Sequence, residues 1–192
     1  MTGRLVFLVE ETSMKILLDG LLPRLFPGWT AGVHFLCVPH EGKSSLERSM
    51  AVKLRAWKIP GDRFVVVRDN DNADCLALKA RLLALCAANN RPDTLVRLVC
   101  QELESWYLGD LDALAKAFAQ KKLNGAGLRK RFADPDAWQK PAAELARLLP
   151  EFQKIRGARL MAATLRAQGN CSRSFQIFIE GVARIAGETP LM

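Results

Sequence analysis

The residues best placed to do chemistry are acids at the ends of segments that are otherwise apolar. Glu10-Glu11 closes the run at 4–10, Asp69-Asn70-Asp71 with Asp74 follows the run at 64–67, and Glu102-Leu103-Glu104 follows 95–100. Two carboxylates about 4 Å apart repel by about 4 kcal/mol at an effective dielectric of about 20. Acids gathered in one place must therefore protonate, spread, pair with bases or hold a cation. Hard oxygen donors without His or Cys beside them point to Mg²⁺ or Mn²⁺. Asp69 and Asp71, at i and i+2, share one direction while the chain is extended. An ion held there polarises a phosphoryl oxygen and activates water. Acids also serve turns and helix starts, and Asp74, just before Cys75, reads as an N-cap.

Positioning these acids requires strands. Residues 4–10, 32–39, 63–68 and 95–100 are short, apolar and bounded by turn formers, and Phe64-Val65-Val66-Val67 is the most strand-like of all. Between them lie helical segments: one capped by Ser13 and ending near Pro27-Gly28, one from Ser44 or Ser45 to Trp57, and one over 75–90. Strand–helix alternation through four rounds predicts an α/β fold with a mostly parallel, Rossmann-like sheet flanked by helices. Ligand sites in such sheets form beyond the C-terminal strand ends, which is where the acids fall. After Trp106-Tyr107 the pattern becomes helical, at 110–119, 141–149, 156–167 and 174–185. The division expected is an α/β core at 1–107 and a basic helical extension at 108–192 packed on it.

The 192 residues carry 28 Lys+Arg against 20 Asp+Glu, a formal +8 at pH 7. Residues 1–120 hold 15 basic and 14 acidic side chains, and residues 121–192 hold 13 and 6. A basic second part suits an anionic partner such as nucleic acid, or simply a solvated surface. Lys43, at the start of the second helix, can meet phosphate as a point charge, and so can Lys154, Arg159 and Arg173 in the extension. Arg159 and Arg173 serve equally well as salt-bridge partners for the acidic sheet edge. His40 could orient a substrate, and Trp106-Tyr107 could stack a base or anchor the next helix. Cys37, Cys75, Cys86, Cys100 and Cys171 form no Cys-x-x-Cys pair, and most of them read as reduced core residues. The composition excludes a disordered chain, no run is long enough to span a membrane, and no signal peptide is visible, so a cytoplasmic location is expected.

Leu8-Val9-Glu10 after a first strand, with Asp69-x-Asp71 after a later one, resembles the TOPRIM signature of primases, type II topoisomerases and overcoming-lysogenization-defect nucleases. More closely, the chain resembles a bacterial TOPRIM-like family of domain-of-unknown-function proteins. The matching segments include His40-Glu41-Gly42-Lys43, Arg68-Asp69-Asn70-Asp71-Asn72-Ala73-Asp74-Cys75 and Glu102-Leu103-Glu104-Ser105-Trp106-Tyr107. Further matches are Lys140-Pro141, Lys154-Ile155-Arg156-Gly157-Ala158-Arg159 and Asn170-Cys171-Ser172-Arg173-Ser174-Phe175. The resemblance implies that Glu10 is a general acid/base or metal ligand and that Asp69 and Asp71 are the metal-binding pair of a Mg²⁺-dependent nuclease. Many TOPRIM nucleases carry a glycine and a later acid where this chain has Glu11 and Ser13-Met14. That departure leaves a single-ion site or none, unless Glu102 or Glu104 compensates. The alternative implied is a non-catalytic subunit, binding nucleic acid or protein, that works with a partner ATPase, since the chain has no nucleotide-binding loop of its own.

Overall fold

The computed structural model describes residues 3–191. Four strands, β1 (Leu5–Val9), β2 (Phe35–Pro39), β3 (Arg63–Asp69) and β4 (Leu95–Val99), form one parallel sheet in the order β2-β1-β3-β4. The chain therefore travels outward from β1 to β2, then returns past β1 to lay down β3 and β4. The adjacent C-terminal ends of β1 and β3 mark the point where that direction reverses, the usual ligand crevice of open α/β sheets.

Strand parity divides the core. Val6, Leu8, Phe64, Val66 and Val96 face α2 (Lys43–Ala56) and α3 (Cys75–Ala88), meeting Leu46, Met50, Leu54, Leu78, Leu82 and Cys86. Leu5, Phe7, Val9, Val65, Val67 and Leu95 face the other way, onto α1 (Thr12–Leu25) and the helices of the extension. With both faces covered, the strands must be apolar throughout, which is why their sequences read as continuous runs.

Helix α4 (Glu104–Leu108) spans the expected boundary, and the chain continues through α5 (Leu111–Ala117), α6 (Ala126–Arg131), α7 (Pro141–Leu148), α8 (Lys154–Thr164) and α9 (Arg173–Ala186). Helix α8 lies along α1, where a Cβ on Gly20 would sit 2.8 Å from that of Ala162. Helix α9 covers the sheet: Phe178 packs on Phe7 and on Trp106, whose ring also meets Phe175. Trp106 and Tyr107 are buried, so they anchor helices and present no ring to a base. One hydrophobic core therefore runs from Leu5 to Ala186.

Caps set the helix starts. Asp74 accepts from the Ala77 N–H at 2.7 Å, as its position before α3 led one to expect. Asp110 caps α5 and Ser172 caps α9. Ser13 does not cap α1: the helix already begins at Thr12, and the buried Ser13 hydroxyl donates to Glu11 instead. Nor do Ser44 or Ser45 start α2, which opens at Lys43 after Gly42, whose φ of 83° is a left-handed turn suited to glycine. Strand β2 is shorter than expected because residues 32–34 form a turn closed by the Gly32 N–H donating to Phe35 O. Of the five cysteines only Cys37 and Cys86 are core residues, fewer than expected: Cys100 is partly exposed, and Cys75 and Cys171 are exposed. No helix of the described residues is long and apolar enough to cross a membrane.

Gly109 joins the two parts of the chain. A Cβ there would lie 2.1 Å from Asn170 Oδ1 and 2.9 Å from the Ser172 backbone nitrogen. Asn170 in turn donates to Trp106 O and accepts from the Ser172 N–H. Gly109→Ala should therefore cost about 1–3 kcal/mol, read as a lower urea midpoint with one unfolding transition. An unchanged midpoint would show that the junction yields freely.

Candidate functional site

The acids gather at the β1–β3 ends. Strand parity puts Glu10 and Arg68 on the α2–α3 side and Asp69 on the α1 side. Because β1 ends at Val9, the Glu10 carboxylate can turn over the strand end and accept the Asp69 backbone N–H. Asp69 Oδ2 accepts from the Leu103 N–H at 3.3 Å. Glu104, on the first turn of α4, is buried beside it. Glu10, Glu11, Ser13, Met14, Asp69, Leu103, Glu104 and Lys154 line a hollow of about 10 Å³, room for one water.

The electrostatics are those of an acid excess. Burial, then the charge of Asp71, raises the Glu10 carboxyl above its usual range, with Arg68 pulling the other way. Burial, then Glu10 and Glu104, pushes Asp69 well above the usual carboxylate range. Burial takes Glu104 up to about 6, with Lys154 opposing and Glu102 and Glu11 adding to it. Burial works against the Lys154 ammonium, but Glu104 and Glu11 outweigh it and hold it more tightly protonated. Tyr107 is raised by burial, then by Glu104 and Asp69, and its buried hydroxyl has no hydrogen-bond partner.

Bases approach from the rim. Lys154 Nζ meets Glu11 at 3.2 Å, and Lys43 Nζ meets Asp71 at 3.0 Å. Buried Arg68 pairs with Glu47 of α2, which also binds Arg81 of α3. Toward Glu10 the Arg68 guanidinium stops at 3.8 Å, beyond hydrogen-bonding range, so Arg68 Nε and Glu10 Oε2 are both buried and unbonded. Arg68 and Glu47 have no role in the sequence pattern, whereas Glu11 belongs to the acids it marks. An arginine next to the final residue of a buried strand was the available signal, because a buried charge needs a partner.

Not every expected residue arrives. Asp71 does not continue the strand: its φ is 48° and that of Asn72 is 63°, so the chain turns left-handed directly after Asn70. Asp69 and Asp71 therefore do not share a direction, although Asp71 still lies near enough to raise Glu10. Glu102 accepts from the Ala142 N–H at 2.8 Å and so caps α7 from outside. Arg159 is exposed in a groove between α1 and α8, beside Asp19 and Arg24. Arg173 pairs with Glu180 on its own helix, at 3.3 Å, away from the acidic edge. His40 is fixed between Val9 O and the Ser49 hydroxyl, at 2.9 and 2.8 Å, with a pKa lowered by burial, which suits a ring that holds α2 to the β1 end.

Hard carboxylate donors with an orphaned Glu10 oxygen suit a divalent cation in chemistry. Their spacing does not: among the described residues no three His, Cys, Asp or Glu side chains stand close enough together to hold a metal ion as they are. Occupation requires at least one carboxylate to rotate inward.

A raised carboxyl pKa stabilises the fold while the group is protonated and loses that contribution as pH rises through the folded value. For Glu104 the window runs from its ordinary 4.5 to about 6. Glu104→Gln, neutral throughout, should stabilise the protein by about 2 kcal/mol at pH 7.5 and give no gain at pH 4. Urea midpoints at the two pH values check this, and equal gains at both would contradict it.

Among known proteins, no curated protein and no solved structure matches this chain. Residues 9–183 match a family described as Domain of unknown function (DUF4276), a span that takes in every acid and lysine of the hollow. With most of its length matched, the chain belongs to the DUF4276 family.

Proposed function

We propose that this protein processes nucleic-acid phosphodiesters at the hollow between β1 and β3, with a divalent cation, Mg²⁺ or Mn²⁺, as cofactor. The observation that carries the reading is the raised protonation of Glu10, Asp69 and Glu104 around one water-sized hollow at the topological switch point. Three carboxyls whose pKa values are raised first by burial and then by neighbouring acids, with Lys154 lining the same hollow, form a site that gains from an added positive charge. Glu10 and Asp69 would hold the ion, with Glu104 or Asp71 turning to join them. When bound, such an ion supplies a Lewis acid for a phosphoryl oxygen and a more acidic bound water.

The chain's own lysines supply the rest. Lys43 and Lys154 each pair with an exposed acid, and a phosphate can compete for such exchangeable pairs. Lys140, exposed just before α7, belongs to the same rim, since Asn72 donates to the neighbouring Gln139 O. The basic balance after residue 120 supplies further positive charge for a polyanion. Arg159 and Arg173 would act as outlying backbone contacts. The resemblance of Glu10 and Asp69-x-Asp71 to the TOPRIM signature agrees with this reading and adds nuclease as the reaction class.

A second reading has one observation in its favour. The outer acids already have partners in the chain: Asp71 with Lys43, Glu11 with Lys154, Glu102 with the α7 backbone. A site neutralised from within suits a non-catalytic subunit that binds nucleic acid or protein beside a partner ATPase.

Calorimetric titration separates the two. The catalytic reading expects Mg²⁺ or Mn²⁺ binding that is lost in Glu10→Gln, whereas the adaptor expects none. On plasmid and on single-stranded RNA, Mg²⁺-dependent cleavage should disappear in the Asp69→Asn, Asp71→Asn double variant with the fold intact. Cleavage that survives the double change would overturn the assignment.

A further inference from the structure

Cys75 and Cys100 belong to the same sheet edge but take no part in the acid cluster. Cys100 follows β4 directly, and the Asp69–Val99 pairing places it beside Asn70. Asn70 ties the two cysteine segments together. Its N–H donates to Val99 O at 3.0 Å, its Nδ2 donates to Cys75 Sγ at 3.0 Å, and its Oδ1 accepts from the Gln101 N–H at 2.5 Å. Cys75 lies near enough to Cys100 to act on its thiol. Cys75 is exposed and Cys100 partly so, while Cys37 and Cys86 are buried in the core. Cys171 is exposed too, but its thiol is taken up by Gly109 O and Phe132 O.

We propose that Cys75 and Cys100 form a modification site for hydroperoxides, closing to an intramolecular disulfide that links the start of α3 to the end of β4. The two thiols have unequal roles. Cys75 is exposed and Cys100 only partly so, and Cys75 therefore meets the oxidant first. The Cys75 sulfur attacks the distal peroxide oxygen, the O–O bond breaks, and the products are a sulfenic acid and water (or an alcohol). Cys100 then loses its proton and attacks the sulfenic sulfur, and the departing hydroxide takes up that proton as a second water. Two thiols are oxidised and one peroxide is reduced.

The bond removes the Cys75 acceptor from Asn70, the residue between Asp69 and Asp71, and clamps the loop that carries both acids. The proposal does not depend on what the hollow binds, because its readout is covalent.

The test uses the full chain treated with hydrogen peroxide, quenched with an alkylating reagent and digested without reduction. A peptide pair joining Cys75 to Cys100 within one chain is expected, absent from Cys75→Ser. In Cys100→Ser, Cys75 should stop at the sulfenic acid and be trapped by dimedone. Recovery of both cysteines alkylated, oxidation of Cys75 alone in the unmodified sequence, or pairing through Cys171 or between chains would each overturn it.

Discussion

Two carboxylates, Glu10 and Asp69, end neighbouring parallel strands at the point where the chain reverses its path across the sheet, and the charge of Glu10 makes the burial of Asp69 more costly. The arrangement follows from the β2-β1-β3-β4 order, which leaves the β1 and β3 ends side by side with no helix crossing between them. Apolar strands deliver the acids there, because Val9 and Val67 are in register and everything below them is core. A fold selected for stability alone would place a neutral side chain at Asp69. Perturbed carboxyls in a recess are what functional sites accumulate.

Much of the surrounding structure manages that charge. Arg68 brings a buried guanidinium near Glu10 but commits its hydrogen bonds to Glu47, which Arg81 also binds. Lys154 comes from the first residue of α8, so the docking of α8 on α1 sets the base opposite Glu104 and Glu11. The helices after β4 therefore complete the hollow as well as the core: without α4 and α8 the site would lose Glu104 and Lys154 together. Its charge is distributed to match, with lysines at the rim and arginines such as Arg131 and Arg147 spent on Glu144.

The strands and most helices were legible because their signals are local. Phe64-Val65-Val66-Val67 is β-branched and bounded, Asp74 sits where an N-cap belongs, and a strand-to-helix rhythm implies a parallel sheet. The acidic edge was legible too, since topology alone brings strand ends together. Side-chain direction was not. Asn70-Asp71-Asn72 is rich in residues that tolerate left-handed backbone, and that turn sends Asp71 outward to Lys43. Glu102 was drawn off by the free N–H groups of α7, an interaction forty residues distant in sequence. Arg159 and Arg173 sit on helices whose rotation is fixed by Met161 and Phe178, core residues whose partners lie far away in the chain.

On the proposed reading, Glu10 and Asp69 are held ready for a positive ion. Anomalous diffraction from crystals grown with Mn²⁺ tests it most directly. One Mn²⁺ is expected in the hollow, bound by Glu10 and Asp69 with Glu104 or Asp71 turned toward it. A hollow filled by water alone, with Mn²⁺ absent or bound elsewhere on the surface, would contradict it.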